Sequence, residues 1–506
     1  MKKVFTLLLV AVVAVAARAT DYNVPITVNV NGVTSEQRAV LTVNENGGLY
    51  DISLKNFVLQ SEDGPMGVGN VELKGIKPYQ DGSATLLLTN DKVTITPGDD
   101  PNVSFWMANM LPPVNVELRG KIDAEHLRCY IDIDLMESLQ QVIQVAIGEG
   151  YQIANQGFEN WHTSTGTYQE PNAWHSFESA TGMLAEAAGH HIEKSDDAHS
   201  GETSARIFAT SIFGIVANGT MTTGRMNAAS MSADDASGNY AYLDMSQSEL
   251  DGNGDPYYTP LYSVPDEVAV WVKFKQATPN AAHPYATLSA VITDGTRYQE
   301  PENQTYTNVV AKANNSQIAT TGGQWVRVTA PFTYTANSAE PKAVLVTLST
   351  NADPGQGSKN DEMLVDDIQF IYHANVTGLK VKGQSVPGFS ADKTNYEMEL
   401  NETNTADVIE VAVDGRTAHV IKEVVVEGDH YLLTIRAISA DMANMTTYVV
   451  TVKSSATAIT QPSTANAQHP TANTYYTLDG RRVETLIPGQ VYISRQADGT
   501  TLKVRR

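Results

Sequence analysis

The sequence predicts an all-β protein, and two observations carry that expectation. Apolar and polar residues alternate at period two along most of the chain, and helical periodicity is nearly absent. Leu127, Cys129, Ile131 and Ile133 take one side of a segment while Arg128, Tyr130, Asp132 and Asp134 take the other. Val114, Val116 and Leu118 alternate in the same way with Asn115, Glu117 and Arg119. Successive side chains of a strand point to opposite faces, so this pattern marks half-buried antiparallel strands. Only residues 136–142 and 182–189 offer short stretches with helical character.

Composition bounds what such a chain can be. It has 506 residues, a formal charge of -23 and 42% hydrophobic residues. That length corresponds to roughly three to four domains. The acidic balance argues against a nucleic-acid protein, since phosphate backbones require clustered Lys and Arg, and equally against docking on an anionic membrane. The single cysteine, Cys129, excludes an intrachain disulfide and any CxxC metal or redox site. Its place on an apolar strand face makes it an inert buried thiol.

The elements follow in order. Residues 1–19 have the anatomy of a secretory signal peptide: Lys2 and Lys3, an apolar stretch too short to span a bilayer, then Ala17-Arg18-Ala19 as a small-x-small cleavage site. Cleavage near Ala19 removes three basic residues and no acid, so the mature chain is more negative. The expected location is secreted, at the outer cell surface or in the periplasm. No cysteine follows for a lipid anchor and no later stretch is long and apolar enough for a transmembrane anchor.

Residues 20–150 form the first unit. They contain the stretches Leu49-Tyr50-Asp51-Ile52-Ser53-Leu54-Lys55-Asn56-Phe57 and Gly67-Val68-Gly69-Asn70-Val71 and close with strands from Leu127. These resemble the calycin-like β-barrel domains of secreted Bacteroidetes proteins. The resemblance implies a barrel that is either packed with side chains or hollow enough for a small apolar ligand.

Residues 151–373 hold four of the five tryptophans. They open Gly157-Phe158-Glu159-Asn160-Trp161, continue through an Ala198-His199-Ser200-Gly201 turn and end Leu364-Val365-Asp366-Asp367-Ile368. In that order the motifs resemble a domain family named for carbohydrate metabolism, and carbohydrate-binding jelly rolls more generally. The resemblance implies a jelly-roll β-sandwich and a polysaccharide or glycan as partner. It also implies a structural Ca2+ between first and last strands, with Glu159, Asp366 and Asp367 at the corresponding places. The alternative for Asp366-Asp367 is a cap on a strand end.

Residues 374–453, with Val376-Thr377-Gly378-Leu379 early and Thr447-Tyr448-Val449-Val450 late, resemble the small Ig- or cadherin-like β-sandwiches of bacterial surface proteins. Residues 454–474 are rich in Ser, Thr and Ala with no charge, and read as a flexible linker. Residues 475–506 reverse the charge balance and alternate as short strands, a C-terminal β-hairpin appendage. Leu478-Asp479-Gly480-Arg481-Arg482-Val483 and Gly489-Gln490-Val491-Tyr492 resemble the type IX sorting tails of secreted Bacteroidetes proteins. That resemblance implies contact with export or attachment machinery.

Candidate chemistry is sparse. No P-loop, GxGxxG, HExxH or GxSxG occurs. Glycoside hydrolysis needs two carboxylates at a fitting separation; the candidate pairs are Asp196-Asp197, Asp234-Asp235, Asp251/Asp255 and Glu300/Glu302. Asp251-Gly252-Asn253-Gly254-Asp255 begins like a calcium loop but lacks its later ligands, which leaves a tight acidic turn. His190, His191, Glu193 and His199 read as solvated loop residues. Sugar contact requires exposed aromatic faces. Trp174, Tyr257, Tyr258, Tyr262 and Tyr298 lie in loop-like, Pro-containing segments and are the candidates, whereas Trp271 and Trp325 alternate as core residues. The leading expectation is a noncatalytic glycan-binding protein. A glycoside hydrolase and an adhesive protein without sugar ligand are the alternatives.

Overall fold

The computed structural model describes residues 18–31, 33–60, 64–123, 126–135, 140–164, 167–336, 339–400, 408–428 and 430–454, and four short strands between 474 and 505. The signal peptide before residue 18, most of the linker and the Leu478–Arg481 part of the tail motif lie outside the described residues. The described chain is almost entirely β. It divides into two compact units, residues 1–149 and 150–506.

The first unit is one antiparallel sheet of nine strands: β1 (Arg18–Val30), β2 (Val33–Asn46), β3 (Leu49–Leu59), β4 (Met66–Ile76), β5 (Pro78–Asp81), β6 (Ala84–Val93), β7 (Val114–Asp123), β8 (His126–Leu135) and β9 (Gln141–Ile147). Their order is β4-β3-β2-β1-β9-β8-β7-β6-β5. Turn chemistry sets the register at the first two hairpins. Val30 pairs with Val33 across an Asn-Gly pair whose Asn31 has φ +52°, and Asn46 pairs with Leu49 across Gly47 and Gly48 at φ +62° and +82°. Two-residue turns with positive φ match the twist of the strands they join. The sheet curls. Asn70 of β4 and Thr96, just past β6, exchange backbone hydrogen bonds of 2.7 and 3.1 Å, which brings the far ends together.

Inward positions of this unit carry Ile26, Val28, Leu41, Val43, Leu87, Val116, Leu118, Cys129 and Ile147 in one aliphatic cluster. Burial pushes the Cys129 thiol up to about 12, so it holds its proton at any physiological pH. The helical character expected over residues 136–142 is corrected where it is described: Gln141 and Val142 open β9, because pairing with β8 outweighs local propensity.

The second unit is built on a β-sandwich. A five-stranded sheet runs Ile192–Ser195, Ser204–Phe208, Glu362–Ile371, Glu267–Lys275, Val326–Pro331. The facing sheet runs Thr220–Thr222, Ala343–Ser349, Ala286–Thr293, Val309–Ile318, Thr333–Tyr334. Between them Ile207, Val270, Val272, Phe274, Val365 and Phe370 of the first sheet meet Met221, Leu288, Ala290, Ile292, Val346 and Leu348 of the second. Trp271 and Trp325 do not join this core. They are half-buried, with Trp271 stacked under His199 at 3.8 Å between ring centroids and Lys273 set over the Trp325 ring. In Val270-Trp271-Val272 the two valines take the inner face, so period two sends the tryptophan outward. A helix, Ala185–Ala188, does form in the stretch with helical character at 182–189.

A smaller sandwich follows. Its four-stranded sheet pairs Asn395–Leu400 in parallel with Met445–Ser454, then adds His430–Ile438 and His419–Glu427. Its three-stranded partner holds Val376–Val381 between Gln384–Ser385 and Ile409–Val413. Asp266 ties it to the larger sandwich by accepting from the backbone N–H groups of His373 (2.7 Å) and Arg416 (3.0 Å). The Arg416 guanidinium lies over the Tyr334 ring. At the end of the chain, Thr474–Tyr476, Arg482–Val483, Val491–Arg495 and Thr501–Arg505 form a four-stranded sheet. Among the described residues no helix is long and apolar enough to cross a membrane.

Candidate functional site

The facing sheet has two different faces because its two central strands, Ala286–Thr293 and Ala343–Ser349, alternate. In Ala286–Thr293 the even positions fill the sandwich core, and the odd ones, Thr287, Ser289 and Val291, point away from it. Ala343–Ser349 repeats the pattern with Leu345, Thr347 and Ser349. Register turns these local patterns into rows. Thr220 pairs with Ser349 and Ser349 with Thr287; Thr222 pairs with Thr347, Thr347 with Ser289 and Ser289 with Asn314. Side chains directly opposite on neighbouring strands stand within contact distance. The Thr220 hydroxyl donates to Ser349 Oγ at 3.1 Å, and Thr222 and Thr347 hydroxyls lie 3.3 Å apart.

A second, three-stranded sheet covers the other end of this outer face. It consists of Arg225–Ala228, Asn239–Leu243 and Tyr298–Glu300. Ala241, Leu243 and Tyr298 from it pack on Val291, Leu345 and Ala343 in a small apolar cluster. Where the cover ends, the hydroxyl-bearing sheet face is left open to a cavity of about 440 Å³. The size is within the range of small-molecule pockets. Met226, Ala241 and Glu300, aligned by register across the three-stranded sheet, form one side. Ile212, Ile215 and Val216 of a hairpin, with Phe177, Leu184 and Met231, supply the apolar walls.

Glu300 is the chemically distinctive group here. Its Oε1 accepts from the Ser289 hydroxyl at 2.9 Å, while Oε2 is buried with no hydrogen-bond partner. Burial pushes its carboxyl up to about 7, against the opposing pull of the Ser289 hydroxyl and the Lys312 ammonium. Glu302, its companion among the candidate pairs, is exposed and holds Lys312 at 2.6 Å and the Tyr298 hydroxyl at 3.2 Å.

The turn that carries Phe177 depends on another buried acid. Glu170 is fully buried, and its Oε1 accepts from the Ser176 N–H and hydroxyl, both at 2.6 Å, and from the Ser179 hydroxyl at 3.3 Å. These bonds fix the 3-10 turn Phe177–Ser179 and so place the Phe177 wall.

The five aromatic candidates are not assembled into one open face. Trp174 is fully buried, tilted against Phe158, with Nε1 donating to the Ala154 carbonyl at 3.2 Å. Tyr257 is buried, with the His175 ring 4.5 Å away and the Arg225 guanidinium over its own ring at 4.4 Å. Tyr258 is partly buried and packs against the apolar cluster of Leu243, Val291, Tyr298 and Leu345. Tyr262 is half-buried, its N–H donating to the Gly150 carbonyl and its ring filling the space a Cβ on Gly150 would need. Tyr298 is fully buried, edge-on to Tyr306, and burial raises its phenol.

The three metal candidates gather around the turn at residues 199–203. Glu159 Oε1 accepts from the N–H groups of Glu202 and Thr203, and Oε2 from the Thr203 hydroxyl. Asp366 accepts N–H groups from His199 and Ser200 on one oxygen and from Asp367 on the other. Asp367 takes His199 Nδ1 at 2.6 Å and the Ser200 hydroxyl at 2.9 Å. Burial and the neighbouring Asp367 charge push Asp366 up to about 7. All six carboxylate oxygens are thus already acceptors, and among the described residues no group of three or more His, Cys, Asp or Glu is disposed to hold a metal ion. Ca2+ requires six to eight converging oxygens. This donor set does not fit it and acts instead as a clamp on the turn. Nearby, His191 departs from the solvated-loop expectation. It is fully buried between the carbonyls of Ala188 and Phe208, and burial pushes its imidazole down to about 4.

The hydroxyl rows were missed in the sequence, although their signal is there. Thr220-Met221-Thr222, Thr287-Leu288-Ser289 and Thr347-Leu348-Ser349 are three hydroxyl–apolar–hydroxyl triplets. Each alone is an ordinary strand pattern.

Comparison with known proteins supports the first unit. Residues 19–147 match the calycin-like β-barrel domain. No curated protein matches the chain. A solved structure, the M60 catalytic domain with the CBM51-1 and CBM51-2 domains of Clostridium perfringens ZmpB, is similar at 9% identity and a TM-score of 0.15. The match covers 96% of this chain and 44% of that one. At that TM-score the two do not superpose as wholes, and nothing about function follows from it.

Proposed function

We propose that this is an exported, noncatalytic glycan-binding protein whose larger sandwich seats the sugar in the cavity above the hydroxyl rows. The observation that carries the reading is the cavity floor itself. Thr220, Thr287, Ser289, Thr347 and Ser349 offer donors and acceptors in a regular grid, between apolar walls suited to the C–H faces of a sugar ring. A binding role is favoured over hydrolysis because Glu300 is the one carboxylate among the residues lining the cavity, whereas glycosidases use two. The barrel is then an accessory module, the small sandwich a spacer, and the basic tail an export or attachment signal.

The test is a glycan array with the full chain, followed by product analysis of each hit. Binding without cleavage is expected. In calorimetry, Ser349→Ala and Thr287→Val should each weaken a hit about threefold to tenfold through loss of a hydrogen bond. Cleaved product would transfer the protein to the hydrolases, and silence across the array would leave the adhesive alternative. Export has its own readout: mass spectrometry of protein from the native host should find a mature N-terminus near Thr20, and retention of Met1 would overturn it.

A further inference from the structure

We infer that the cavity takes an amphiphilic ligand, a sugar with an apolar substituent at its linkage position, and that Phe213, with Met183 and Met231, selects for that substituent. This rests on the reading of the cavity as a glycan site and names the class of glycoside.

Three observations converge on that chemistry. The first is where apolar surface is left uncovered. Met183 and Phe213, at 84% and 76% exposure, are the two most exposed large apolar side chains among the described residues. Each stands next to a cavity wall. Met183 precedes Leu184, and Phe213 lies at the hairpin tip between Ile212 and Ile215; all three neighbours line the cavity. Met231 lines it directly and is also exposed. Single apolar residues scattered over a surface need no explanation, but three at one cavity mark a contact surface.

The second is the backbone at Phe213. Ile212 pairs with Ile215, so Phe213 and Gly214 are the two residues of a tight turn, at φ +49° and +86°. Such turns favour Asn-Gly or Asp-Gly, because a bulky side chain is strained at positive φ. Phe213 carries that strain and buries little of its ring in return. A contact made in the bound state accounts for an aromatic here, where folding does not.

The third is how this edge is held. His191 Nε2 lies 2.9 Å from the Ala188 carbonyl and 3.1 Å from the Thr210 hydroxyl. The buried ring thereby joins the helix that follows Leu184 to the hairpin that presents Phe213. Both apolar segments are thus fixed beside the cavity before any ligand arrives. Polarity then runs across the site. The sheet side offers the hydroxyls of Thr220, Thr287 and Thr347, and the hairpin side offers Ile212, Ile215 and Val216. A free sugar has nothing apolar for Phe213 and the methionines. A plain hydrocarbon leaves the hydroxyl rows without partners.

The experiment is calorimetry on the full chain with methyl, hexyl and phenyl β-glucosides and β-galactosides, and with hexanol. The hexyl or phenyl glycoside of at least one sugar is expected to bind about tenfold tighter than its methyl counterpart, because the added carbons leave water. Phe213→Asn should bring that glycoside to about the affinity of the methyl one. Its melting temperature should stay level or rise, since Asn tolerates the turn conformation. A lower melting temperature would make Phe213 a structural residue and overturn its role. The preference of the unaltered protein tests the ligand class without any variant. Zwitterionic vesicles with and without glucosylceramide and galactosylceramide separate the sources. Retention only on glycolipid vesicles assigns a lipid substituent, and no retention beside a hexyl preference assigns a soluble glycoside; both support the inference. Equal retention on bare vesicles overturns it in favour of membrane adsorption. Equal affinity for methyl, hexyl and phenyl glycosides overturns it and leaves the cavity reading intact. Hexanol binding as tight as that of the hexyl glycosides, or no binding by any of these probes, overturns the cavity reading with it.

Discussion

Trp174→Ala is expected to destabilise the larger sandwich by about 3–5 kcal/mol, the range for removing a large aromatic from a packed core. Trp174 is fully buried, its ring meets Phe158 at 5.3 Å between centroids, and its indole N–H is committed to the Ala154 carbonyl. Truncation would leave a cavity and an unsatisfied carbonyl together. Chemical denaturation read by near-UV circular dichroism measures the loss. Trp174→Phe, which keeps most of the volume, should cost less. A Trp174→Ala protein of unchanged stability that no longer binds glycan would return this residue to the ligand-contact role that its Pro-Asn-Ala-Trp context indicates.

Glu170→Ala is expected to cost about 2–3 kcal/mol and to weaken ligand binding as well, because it removes the acceptor for three donors at once. The Ser176 N–H and hydroxyl and the Ser179 hydroxyl would lose their shared partner, and the 3-10 turn that carries Phe177 would lose its anchor. Glu170→Gln keeps a carbonyl oxygen for these donors and should restore most of both losses. Thermal melting and calorimetry on the two variants separate the outcomes. If alanine is tolerated with full affinity, the turn is held by other contacts and Glu170 has no bearing on the cavity wall.

The strands were readable because alternation is a property of neighbours in the chain. Val114–Leu118 and Leu127–Ile133 are strands β7 and β8, and the same arithmetic should have sent Trp271 outward between Val270 and Val272. Trp271 is not a core residue, because its place in the alternation outranks its apolar bulk. The aromatic candidates show the converse difficulty. A Pro-containing loop suggests exposure, but Trp174 packs into the sandwich core, so a residue with no strand of its own ends buried. The Ca2+ expectation assigned Glu159, Asp366 and Asp367 to one ion, whereas each carboxylate accepts hydrogen bonds from the turn at residues 199–203. Sequence could not count the N–H and O–H donors of residues 199–203 that occupy their oxygens.

Short-range chemistry therefore decides a good deal of this protein. It dictates strands rather than helices, the two-residue turns at Asn31 and at Gly47–Gly48, the apolar strand face that carries Cys129, and an acidic chain with a basic end. Each of these follows from side chains a few positions apart. The cavity is different in kind. Thr220, Thr287 and Ser349 are separated by dozens of residues, and they become one row only when Thr220–Thr222, Ala343–Ser349 and Ala286–Thr293 pair in register. Glu300 becomes a buried carboxylate with an orphan oxygen only when Tyr298–Glu300 joins the three-stranded sheet above that row. Strand order and register are long-range choices, made by the burial of the opposite face, and they turn ordinary hydroxyl triplets into a candidate binding site.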